Sequence, residues 1–119
     1  MSDNNPQYSQ DKLKNFKSII DKEIETIDKE LEKLKEDIAT QNQKLAHTNV
    51  AFNQSSRHFQ QQAKVKQTIN RLESRSSELH SALERIDNKT YGICERTGEL
   101  IREERLKAKP TARYDIVQN

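Results

Sequence analysis

The chain has no tryptophan, one cysteine, two glycines and two prolines in 119 residues. With so few turn formers, a barrel or a doubly wound sheet has nothing to build its many reversals from. A single cysteine, Cys94, excludes an internal disulfide and any zinc site made of thiolates from one chain. Aromatics make up 5% and hydrophobic residues 31%, with a mean hydropathy of −1.11, well below the half-apolar composition of a compact globule. No long apolar run is present, so no membrane-spanning segment is expected, and the polar start has no signal-peptide core. Neither sign of charge dominates: 21 Lys+Arg against 19 Asp+Glu gives +2. That balance argues against nucleic-acid binding by bulk electrostatics, which needs a clustered basic face, and no direct sequence-specific DNA partner is expected.

What is present is helical periodicity. Leu13, Ile20, Ile27 and Leu34 recur every seven residues, and Ile24, Leu31, Ile38 and Leu45 do the same. Interleaved at steps of three and four, they form an a/d seam, interrupted by Lys17 and Gln41. Thr48, Asn49, Asn53, Ser55 and Ser56 favour turns and caps, which predicts a break over 47–57, with Ser55 or Ser56 as the next N-cap. The seam resumes with Val65, Ile69, Leu72, Leu79, Leu83 and Ile86. The fold expected is all-α dominated: a long antiparallel two-helix coiled-coil hairpin over 11–88 behind a flexible 1–10, each stripe burying itself on the other. Residues 89–119 change character. A short extended piece at Tyr91–Cys94, a turn at Thr97–Gly98, a two-turn helix over Arg102–Ala108 and a last strand at Tyr114–Val117 are expected.

Charge is segregated along the hairpin. Asp37 and Glu73 bracket a stretch with no acidic residue, in which Lys44, Arg57, Lys64, Lys66 and Arg71 sum to +5. No phosphate-cradling glycine loop, nucleophile elbow or activating base beside Cys94 occurs, so no enzyme is expected. His47 and His58 flank the break and read as polar surface.

From Ala82 to Ala112 the chain carries Ala82, Leu83, Arg85, Ile86, Tyr91, Gly92, Cys94, Gly98, Ile101, Arg105, Leu106, Ala108, Pro110 and Ala112 in one register. In this it resembles the DksA/TraR family, whose pattern is ALxRIxxGxYGxCxxCGxxIxxxRLxAxPxAxxCxxC behind a helical hairpin. The resemblance implies a C-terminal zinc-finger-like module whose four ligand positions fall at Cys94, Thr97, Asp115 and Gln118. Three of the four thiolates are thus replaced, and a module lacking metal and cofactor is expected. It implies a bacterial, cytoplasmic transcription regulator, monomeric, that binds RNA polymerase through the secondary channel. The coiled-coil tip would consist of Asn49, Ala51, Asn53, Gln54, Ser55 and Ser56, with the family's two tip aspartates missing at Ala51 and Gln54. Arg71, Arg105 and Lys109 are the implied contacts to polymerase or to ppGpp, with Glu78 and Asn119 disfavouring that anion. The reading from another class is a structural or chaperone-like coiled-coil adaptor or dimerisation module without polymerase binding.

Overall fold

The computed structural model describes residues 7–46 and 52–116. Three helices follow one another: α1 (Gln10–Ala46), α2 (Phe52–Asp87) and the short α3 (Glu103–Ala108). No Gly or Pro interrupts α1 or α2, so the backbone hydrogen bonds run unbroken through each. Ser9 caps α1, its hydroxyl accepting the Lys12 N–H at 3.3 Å, and Asp11 in the first turn complements the helix dipole. Among the described residues no helix is long and apolar enough to cross a membrane.

The chain divides into two compact units, one of Met1–Ile24 with Ser77–Asn119, the other of Glu25–Ser76. Both helices contribute to both units. In the second unit α1 and α2 run antiparallel: Lys35 pairs with Glu73 at 3.2 Å, and further along the Gln62 amide donates to Asn42. Ile27, Leu31 and Ile69 are buried there, and Leu34, Ile38, Val65 and Leu72 half-buried. The two heptad series therefore pack as the seam predicts. Gln62, one turn before Val65, is also buried, and its amide is satisfied by its bond to Asn42.

The first unit holds the apolar core of the C-terminal module. Ile20, Leu79, Ile101 and Leu106 have no measurable exposure, and Tyr91 retains 2%. Phe16 is buried beside the polar Lys17 and fills the seam at that turn. Its ring lies 5.5 Å from that of Tyr91 and 5.7 Å from that of Tyr8. Tyr8, in the segment expected to be loose, is half-buried and its hydroxyl donates to the Ile101 carbonyl. Gly92 permits this approach: at φ +79, its absent Cβ would lie 2.8 Å from the Tyr8 ring.

Two sequence expectations change. α2 starts at Phe52, so Ser55 and Ser56 lie inside it and do not cap it. No strand forms at Tyr114–Ile116; Tyr114 is 42% and Ile116 52% exposed, and among the described residues the only pairing is an isolated antiparallel bridge, Ile93 to Leu100. Val117 lies outside the described residues. The end of α2 is closed at Lys89, three residues before Gly92. Lys89 takes φ 64, with Lys89 N–H on the Ile86 carbonyl and Thr90 N–H on the Arg85 carbonyl. That is a Schellman closure with lysine where glycine is usual, at a left-handed cost of roughly 1–2 kcal/mol.

Candidate functional site

The module is a knuckle followed by a short helix and a returning tail. The Cys94 N–H bonds the Glu99 carbonyl at 2.7 Å and Gly98 N–H returns to the Cys94 carbonyl at 2.8 Å, closing a tight loop around the thiol. Gly98 supplies the positive φ, +77, that this turn requires. The tail comes back over the loop, with Glu95 N–H bonded to the Arg113 carbonyl at 2.9 Å.

Three of the positions singled out in the sequence meet here. Cys94, Thr97 and Asp115 line one cavity of about 150 Å³, together with Arg96, Leu100 and Ile116. Gln118, the fourth, lies outside the described residues. The Thr97 hydroxyl donates to the Cys94 sulfur, and the N–H groups of Asp115, Thr97 and Arg96 add to it; against the opposing effect of burial they hold the thiol down at about 7. Cys94 is buried all the same. Asp115 does not face the thiol as a free ligand. Its carboxylate takes the Arg102 guanidinium at 3.2 Å and the N–H groups of Arg102 and Ile116. Burial raises its pKa, but those hydrogen bonds and the Arg102 charge outweigh it and the net shift is downward.

This donor set does not fit zinc. Structural zinc takes four strong N or S ligands, whereas one thiolate, a hydroxyl and a carboxylate already held by arginine stand here. Among the described residues no three His, Cys, Asp or Glu side chains gather closely enough for a metal. The cross-links a metal would make are supplied by side chains, most of which the motif leaves unspecified. Arg102 ties α3 to the tail through Asp115. Arg113 pairs with Glu95 at 3.1 Å and reaches the Ser81 hydroxyl on α2 at 3.0 Å. Arg96 stacks over Tyr114 at 5.1 Å. Arg85 donates to Ser81 and to the Thr111 carbonyl, and the buried Tyr91 hydroxyl donates to the Pro110 carbonyl at 2.7 Å. Thr97 and Asp115 thus take separate partners, Cys94 and Arg102. Only Arg85 and Tyr91 of these side chains belong to the recognisable pattern; the others had no periodicity or spacing to mark them.

The Cys94 environment has a pH consequence. A thiol whose folded pKa is depressed contributes stability that is fully present above its ordinary range, about 8.5, and lost as pH falls through about 7. The urea midpoint of the protein should therefore rise between pH 6 and 9 more than that of Cys94→Ser. Parallel pH profiles for the two proteins would contradict the thiolate nest.

Of the other predicted contacts, Lys109 caps α3 through its N–H on the Arg105 carbonyl and lines a second cavity of about 280 Å³ with Glu78, Thr111, Arg113 and Tyr114. The Thr111 hydroxyl is buried there without a partner. Arg105 is half-buried on α3, whereas Arg71 belongs to the other compact unit and is exposed. Asn49 and Ala51 lie outside the described residues; Asn53, Gln54, Ser55 and Ser56 are on the first turns of α2.

Residues 89–114 match the family model of the prokaryotic dksA/traR C4-type zinc finger. A protein of Aquifex aeolicus (strain VF5), described as uncharacterized, is 60% identical over 37 residues, which are 31% of this chain and 26% of that protein; the match spans about a quarter of that relative. The fold superposes on the solved structure of transcription factor DksA2 from Pseudomonas aeruginosa with a TM-score of 0.77 and 22% identity, over 90% of this chain and 79% of that one.

Proposed function

We propose that this DksA/TraR-like chain, whose C4-type finger retains one cysteine of four, is a transcription regulator that binds RNA polymerase rather than a DNA sequence. The observation that carries the reading is the two-helix hairpin with its finger module, laid out over 90% of the chain as in transcription factor DksA2. The hairpin enters the secondary channel with the tip around 49–56, and the chain works as a monomer in the bacterial cytoplasm. Its output differs from that of acidic-tipped relatives, because Ala51 and Gln54 supply no carboxylate to meet a catalytic cation. A protein that occupies the channel without this carboxylate competes with relatives that carry it.

The same reading makes ppGpp at most a weak partner. Lys109 and Arg113 offer positive charge to the second cavity, but the Glu78 carboxylate lines it too and opposes a polyanion. Arg71 and Arg105 are the remaining contacts, to polymerase.

Purified core polymerase should retain the chain on an affinity resin at low salt. Ala51→Asp with Gln54→Asp should keep that retention and change the lifetime of promoter complexes. No retention would favour the adaptor reading; retention with an unchanged lifetime would mean that the tip does not act at the catalytic centre.

A further inference from the structure

The second compact unit carries a charge pattern of which the proposed polymerase contacts account for Arg71 alone. From Ile38 to Leu72 there is no acidic residue, while mixed signs fill α1 before it. Arg57, Lys64 and Arg71 recur every seven residues on α2 and are all exposed. At 3.6 residues per turn they form one stripe, with successive cations about 10.5 Å apart along the helix. No acidic side chain pairs with any of the three among the described residues, in contrast to Lys35, which is held by Glu73. Gln60, Gln61, Gln67 and Thr68 fill the same face. The stripe has no apolar residue, whereas Ile69 and Gln62 turn to the seam.

We infer that this face of α2 binds the phosphodiester backbone of a nucleic acid. A row of unpaired cations neutralises phosphates and releases their counterions without reading sequence. Glutamine amides between the cations add hydrogen-bond donors to the same oxygens. An acidic protein partner fits the face less well, because stable protein interfaces centre on apolar and aromatic anchors and this stripe has none. Nor does the near-neutral total charge stand against it: the residues outside 38–72 carry the balancing acids, so the positive potential is local.

The test needs no polymerase, so its failure and that of polymerase binding are separate results. Fluorescence anisotropy of a labelled 12-nucleotide single strand and of a duplex of the same sequence would be followed from 50 to 200 mM salt. Three phosphate contacts to a single strand give a slope of about −2 in log K against log salt, a loss of roughly 15-fold over that range. Arg57→Gln/Lys64→Gln, which keeps good helix formers at exposed positions, should weaken binding at low salt and cut the salt-dependent loss to about 3-fold. Lys14→Gln/Lys17→Gln removes the same charge from the other unit and should leave both values unchanged. Tighter binding of either nucleic acid identifies its source. The inference is overturned by no binding of either at 50 mM salt, by equal binding in the stripe variant, by equal loss in the Lys14/Lys17 variant, or by polyglutamate competing as well as the oligonucleotide.

Discussion

Tyr91→Ala should cost about 3–5 kcal/mol, the usual range for removing a buried aromatic ring. Tyr91 retains 2% exposure, packs against Phe16, and donates its hydroxyl to the Pro110 carbonyl. It thus joins the start of α1, the end of α2 and the loop before the tail, all within one compact unit. Burial pushes its phenol far above the ordinary range, so it stays a neutral donor at any working pH. The effect is large because the donor set offers no zinc site to hold these segments together when the ring is gone. Domains are stable by about 5–15 kcal/mol, so this one substitution removes a large share. Tyr91→Phe keeps the ring and leaves the Pro110 carbonyl without its donor, which should cost about 1–3 kcal/mol. Urea unfolding followed by circular dichroism measures both. A wild-type midpoint for Tyr91→Ala would mean that the ring is not the anchor described here.

Leu79→Ala should be the costliest change within the helical seam, at about 2–5 kcal/mol. Leu79 is fully buried, one turn from the equally buried Ala82, and a methyl in its place leaves a cavity that the surrounding close-packed side chains cannot close by rotamer change alone. Leu72 occupies the preceding heptad on the same stripe but is only half-buried, so Leu72→Ala should cost clearly less. Equal losses at Leu72 and Leu79 would show that burial along α2 is uniform and that the seam does not tighten in the unit that holds the finger module.

The hairpin is legible in the sequence because its signal repeats. Ile20, Ile24, Ile27 and Leu31 recur with the period of a seam, and all four are buried. The long uninterrupted helices follow from the same pattern together with the lack of Gly and Pro. Local capping is less legible. Ser55 and Ser56 carry the chemistry of an N-cap, yet α2 begins at Phe52, since three further residues can join the helix at little propensity cost. Nor does the heptad pattern mark Phe16. It falls beside a seam position and is buried by the rings of Tyr8 and Tyr91, which are 8 and 75 residues away in sequence.

The candidate site divides in the same way. Cys94, Thr97 and Asp115 can be placed at the ligand positions of the finger pattern by counting along the motif, and they line one cavity. What each does there is set by partners that no spacing announces. Asp115 is committed to Arg102, Arg113 to Glu95 and Ser81, and Tyr8 to the Ile101 carbonyl.

The single cysteine, the seam and the acid-free stretch are therefore determined by the sequence alone, because each is a matter of residue type and period along one chain. How a finger with one thiolate stays folded is decided by the tertiary structure. Ion pairs and hydrogen bonds between residues 13 to 93 positions apart depend on where the chain returns to itself, and that return is fixed by burial of Tyr91, Ile101 and Leu106 rather than by any local preference.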